Sequence, residues 1–201
     1  MRKFHFLFLI ASLLVTGELT AQNSRNWQYY GKAGWTYSTL LTKSEAAVGF
    51  AGGYTAGFGL EIPLRAGYYF QTELCLTRYK SAVGSDNNER RLSFTYVTVP
   101  LLLTYKYNDI FEFVGGVEGG FLAKASSTSV KNVTDIINFP PSDFSKLQVW
   151  PTAGLEINMS PLNIGLRYIF NPFKTFKNDQ LSTAYPDARI HGGQLYGALV
   201  F

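Results

Sequence analysis

Apolar and polar residues alternate along most of the chain with a period of two, the spacing at which successive side chains leave opposite faces of a strand. Eight such stretches are predicted, at about 27–40, 54–63, 67–80, 92–107, 110–124, 147–158, 162–170 and 190–201. β-Branched and aromatic residues fill them, as strands favour. No segment keeps a 3.6-residue apolar period. In 92–107, Val97, Val99, Leu101, Leu103, Tyr105 and Tyr107 share one face; Thr98, Pro100, Leu102, Thr104 and Lys106 share the other. In 162–170, Leu162, Ile164, Leu166, Tyr168 and Phe170 oppose Asn163, Gly165 and Arg167.

The connections also alternate. Residues 64–66, 108–109 and 159–161 are tight turns, whereas 41–53, 81–91, 125–146 and 171–189 are long and polar. Short turns at one end and long loops at the other are the pattern of an outer-membrane barrel. The expected fold is all-β: an eight-stranded antiparallel up-and-down transmembrane barrel with short periplasmic turns and long extracellular loops.

Alternation alone also fits a soluble lipocalin-like barrel with its apolar face inside. Two features favour the inverted arrangement. The polar face carries Gly, Thr and single charges, a poor surface for water but a good filling for a narrow lumen. Aromatic residues recur near strand ends (Trp27, Tyr29, Tyr37, Tyr68, Tyr105, Tyr107, Phe111, Phe170 and Phe201), where membrane-interface girdles sit. Aromatic residues make up 16% of the chain and charged residues only 16%, against about 25% charged in soluble domains.

The N-terminus reads as an export signal. Arg2 and Lys3 precede an apolar run from Phe4 to Val15, and Leu19-Thr20-Ala21 offers a small residue before a cut. Residues 1–21 are the expected cleaved segment and 22–201 the barrel domain. Removing Arg2, Lys3 and Glu18 from 18 basic and 14 acidic residues leaves 16 and 13, a net charge of +3. No basic run marks a nucleic-acid surface. The single cysteine, Cys75, cannot form an intramolecular disulfide and is expected to be a small packed side chain.

The run from Tyr96 to Tyr105, Tyr-Val-Thr-Val-Pro-Leu-Leu-Leu-Thr-Tyr, resembles the Tyr-x-x-Ile/Val-Pro-Leu-Leu-x-x-Tyr strand of the PorT-like outer membrane β-barrel proteins of Bacteroidetes. Gly31-Lys-Ala-Gly34 with Tyr37-Ser-Thr-Leu40 is similar to that family's first strand. Gly154-Leu-Glu156 and Leu166-Arg-Tyr168 are similar to its sixth and seventh. The resemblance covers the chain after the signal segment. It implies a Gram-negative outer membrane and no single activity.

Chemistry is sparse. After the signal segment one histidine remains, His191, too few for a metal site built on His and Cys clusters. An outer-membrane lipid hydrolase with a Ser-His-Asp arrangement would have to use His191, with Asp187 upstream on the loop and Ser182 nearby, and no local motif supports it. A rim histidine is favoured. Gly52-Gly53 and Gly115-Gly116 are not phosphate loops, since no helix follows. The richer constellation is a set of inward-facing charges: Lys32, Glu61, Glu73, Lys106, Glu112, Glu118, Lys124, Glu156 and Arg167. Buried charge is costly unless paired, so the favoured reading is a plug of internal salt bridges rather than an acid–base site, and an open pore is disfavoured.

The expected protein is therefore non-enzymatic, without cofactor or metal. Its expected partners are outer-membrane lipid and lipopolysaccharide, and periplasmic chaperones and the insertion machinery during biogenesis. Loops 125–146 and 171–189 are the expected site for a protein or glycan partner, because loops on a rigid scaffold carry function. The alternating Leu195, Leu199 and Phe201 are expected to be the insertion signal, on a last strand that pairs with the first near Trp27 and Tyr29. A weak channel and the soluble lipocalin-like binder complete the alternatives.

Overall fold

The computed structural model describes residues 27–43, 48–65, 67–84, 89–131, 135–140, 143–176 and 186–201. The expected signal segment, Ser182 and parts of both long loops lie outside them. Nine strands form: β1 (Gln28–Leu41), β2 (Val48–Arg65), β3 (Tyr68–Val83), β4 (Arg90–Lys106), β5 (Phe111–Ser129), β6 (Ile136–Phe139), β7 (Leu147–Met159), β8 (Leu162–Phe170) and β9 (Arg189–Val200). All pairings are antiparallel. β1 to β5 pair in chain order, β5 pairs also with β7, β7 with β8 and β8 with β9, and β9 returns to β1 from Tyr30↔Val200 to Leu41↔Arg189. The sheet is thus a closed eight-stranded barrel without a free edge. The N–H of Phe201 donates to Tyr29 O at 2.9 Å and extends the closing seam by one residue.

The long connections hold more structure than the alternation suggests. β2 starts at Val48, so Gly52-Gly53 lie within a strand and not in a loop. β3 runs on to Val83, and β5 runs on to Ser129 and pairs there with β6, a ninth short strand inside the predicted 125–146 loop. These hairpins extend the barrel wall at the loop end. At the other end the turns are tight; Gly67 takes φ +83° between β2 and β3, a conformation that side chains disfavour.

The strand faces divide as the alternation predicts. Trp35, Phe58, Leu74, Leu101, Phe113, Leu155, Leu166 and Leu195, one from each barrel strand, all point outward and are exposed. They belong to an apolar belt that encircles the molecule, far more than the few hundred Å² a soluble monomer shows. β8, nine residues long, provides about 30 Å of extended chain, or about 20 Å of depth at a 45° tilt. No helix among the described residues is long and apolar enough to cross a membrane.

Inside, glycines make room for rings. A Cβ on Gly59 would meet the Tyr30 ring at 2.1 Å, and one on Gly165 the Tyr196 ring at 2.2 Å. Gly120 likewise faces Trp150. Each large ring fills the lumen opposite a residue that has no side chain.

Candidate functional site: the filled lumen

The lumen is stacked in layers. Nearest the turn end, Lys106 Nζ lies 2.7 Å from Glu61 Oε1 and 3.4 Å from Glu112 Oε1, above the Tyr69 ring at 4.1 Å. Asn158 Nδ2 donates to Glu112 Oε1 at 3.3 Å.

The next layer centres on Glu73. Lys32 Nζ donates to its Oε2 at 3.0 Å, and Arg167 Nη1 pairs with its Oε1 at 2.7 Å. Arg167 Nη2 donates to Glu156 Oε1 at 2.8 Å. Tyr30 donates to Glu73 at 2.9 Å, Gln71 to Tyr30 at 2.8 Å, and Thr104 to Gln71 at 2.9 Å. The Tyr196 hydroxyl donates to Glu156, and its ring carries Lys32 on its face at 3.8 Å and Arg167 at 4.7 Å. Cys75 is buried as expected and points its Sγ at Glu73. Both acid and base sit where water is excluded, so each charge depends on its partner.

Above this, Tyr79 donates to Glu118 Oε1 at 3.2 Å and accepts from Gln194 at 2.6 Å. Glu118 has no cation within ion-pair distance among the described residues. Then the filling turns apolar. Trp150 meets Tyr79 and Tyr96 edge-on at 5.5 and 4.9 Å, with Leu122, Ile169, Phe94 and Ile190 around them. Phe144 and Phe176, from the two long connections, bridge to each other and pack on Phe94 at the mouth.

The structure brings eight of the nine predicted lumen charges inside. Lys124 is the correction: it is exposed on the outer wall. The pairing β4–β5 shifts register between Thr95 and Tyr96, which face Lys124 and Leu122. The extra residue, Ala123, reverses the alternation, so Leu122 points in and Lys124 out. Five carboxylates and three cations therefore share the lumen, a formal balance of −2. The sequence reading missed the tyrosines that hold them. Tyr30 and Tyr196 lie on the faces opposite Tyr29 and Leu195, a parity the alternation carries.

His191 lies on the outer face at the loop end. Its Nδ1 is 2.8 Å from the Tyr168 hydroxyl, and its ring packs edge-on to Phe50, itself stacked on Tyr37. Asp187 is 3.2 Å from Lys43 and 2.5 Å from Lys174 instead. Those hydrogen bonds, Lys174's first, hold its carboxyl below the usual aspartate range. Among the described residues no three His, Cys, Asp or Glu side chains converge as a metal site. Leu195, Leu199 and Phe201 are exposed on the outer wall beside the closing seam.

Residues 20–177 match the outer membrane protein beta-barrel domain. The chain belongs to that family. Its apolar belt is thus the surface that meets lipid in the outer membrane. No curated protein sequence matches the chain. Among solved structures, this outer-membrane barrel is similar to Ail, the attachment invasion locus protein of Yersinia pestis, in complex with the heparin analogue sucrose octasulfate. The identity is 15% and the TM-score 0.53, over 87% of this chain and 99% of that one. It is also similar to Neisserial surface protein A, at 13% identity and a TM-score of 0.51, over 86% of this chain and 97% of that one. At these identities the likeness is one of fold.

Proposed function

We propose that the protein is a non-enzymatic outer-membrane barrel whose lumen is a solid core and whose loop end presents a recognition surface. The observation that carries this is the uninterrupted filling from Glu61 to Phe176. At the turn end, the space between Tyr30, Glu61, Gln71, Glu156 and Asn163 holds about 10 Å³, room for one water and for no substrate.

Function then falls to the rim. The β5–β6 hairpin and the segment that carries Phe173 and Lys174 project from the loop end, and Ile136, Ile137 and Phe173 are exposed there. Such groups suit a protein or glycan partner. In this reading the turns and both ends of the barrel chain face the periplasm and the loops face outward. The role is envelope or secretion support in a PorT-like member of the family, with Leu195, Leu199 and Phe201 read by the insertion machinery. The hydrolase alternative finds His191 engaged by Tyr168 and Asp187 engaged by two lysines.

A single cysteine placed at Lys131, in a Cys75→Ser background, tests the placement. An impermeant maleimide should label it on intact cells; labelling only after lysis contradicts the reading. Lipid release from membranes should be the same for wild type and His191→Ala, and a loss in the variant would favour the hydrolase.

A further inference from the structure

The residue that the bulge turns outward joins an unusual group. Arg78 pairs across the sheet with Thr95, and Thr95 with Lys124, so one rung on the outer wall of β3, β4 and β5 reads cation, short hydroxyl, cation. Lys80 lies two residues above Arg78 on the same face, and Arg91 lies two residues from Lys80's rung on β4. Lys80 is repelled by both Arg78 and Arg91. None of the four has a carboxylate within ion-pair distance among the described residues, and Arg78 Nε is buried without a hydrogen-bond partner.

The rung directly beneath is Leu76, Val97 and Phe121, all exposed and part of the apolar belt. Arg78 and Lys124 therefore stand one step of about 7 Å from membrane-facing hydrocarbon, Lys80 two such steps and Arg91 three. Over β1, β2, β8 and β9 the outer face at the loop end carries a cluster of Tyr37, Phe50, Tyr168 and His191, with a single cation, Arg189, above it.

We infer that the Arg78, Lys80, Arg91 and Lys124 sector is a binding site for the phosphate headgroup of an acylated lipid in the adjoining leaflet. Like charges without partners are costly together, and an anion at this depth removes that cost. Long basic side chains at the edge of hydrocarbon reach toward headgroups. Thr95 is short between Arg78 and Lys124, which stand two strands or about 10 Å apart, so no long side chain separates them. The patch faces sideways along the belt, not upward from the loop tips, which favours a lipid over a soluble polyanion. The inference rests on the membrane belt and extends it to a specific lipid.

Native mass spectrometry tests it, on the folded barrel taken from phosphatidylcholine nanodiscs doped with phosphatidic acid. The wild type should retain phosphatidic acid in preference to phosphatidylcholine. A variant with Arg78→Gln, Lys80→Gln, Arg91→Gln and Lys124→Gln should lose roughly tenfold of that retention. Lys43→Gln with Lys174→Gln, at the loop tips, should retain it. Each protein must first show a heat-dependent gel shift. No shift in the wild type would fail the barrel itself, whereas equal retention by a folded quadruple variant overturns only the lipid site. Displacement of the lipid by millimolar inorganic phosphate would overturn it in favour of a free-phosphate site. Four-cation-dependent capture of soluble heparin without lipid retention would overturn it in favour of a soluble polyanion.

Discussion

Glu73 on β3 and Arg167 on β8 meet at 2.7 Å across the lumen, although three strands separate them in the sheet. The contact ties opposite walls of the barrel together. Glu73 also faces Lys32, so its removal strands Lys32 and leaves Arg167 with Glu156 alone. Glu73→Gln should destabilise the barrel by about 3–5 kcal/mol, the range for breaking a buried pair. Urea unfolding in detergent micelles measures this, and a loss below about 1 kcal/mol would mean the network is not structural.

Glu118 provides the contrast. It accepts from Tyr79 and faces no cation within ion-pair reach among the described residues, so it needs only an acceptor at that point. Glutamine supplies one. Glu118→Gln should change stability by less than about 1 kcal/mol in the same experiment, far less than Glu73→Gln.

The glycines give a steric test. Gly165→Ala forces a Cβ into the Tyr196 ring, and overpacking of this kind costs about 1–3 kcal/mol. Gly52→Ala, which meets nothing within 4 Å, should be silent. If both substitutions behave alike, the rings do not occupy the spaces assigned to them.

Much of this was legible from alternation, because a two-residue period fixes which side chains share a face. It placed the belt, the closing seam beside Tyr29 and eight of the nine lumen charges. It failed at Lys124 because a bulge adds one residue without any local signature in Phe121-Leu122-Ala123-Lys124. It failed at the loop end for a different reason. Phe144 and Phe176 are joined only by the closed barrel that brings their segments together, and their own sequence surroundings read as polar loop. Gly52-Gly53 fall in the expected 41–53 connection, yet Gly53 pairs with Thr36 in the wall, where a Cβ would strike the Arg78 backbone.

The rim carries a pH-dependent clasp. Asp187, held by Lys174 and Lys43, keeps its carboxyl below the aspartate reference of 3.8. A depressed carboxylate pKa contributes stability that is present above the unfolded value and is lost as pH falls through the folded one. NMR titration of the Asp187 side-chain carbon should therefore show a midpoint below that reference. Asp187→Asn at neutral pH should reproduce the acid-state shifts of Lys43 and Lys174. A midpoint at or above the reference would remove the clasp.

A lumen that is a packed core conducts nothing. Planar-bilayer recording of the refolded protein, with its fold checked by heat-dependent gel mobility, tests this most directly. The filled layers from Glu61 to Phe176 predict no discrete conductance steps at any holding potential. Reproducible ohmic steps from the folded barrel, absent from the heat-denatured sample, would contradict the account.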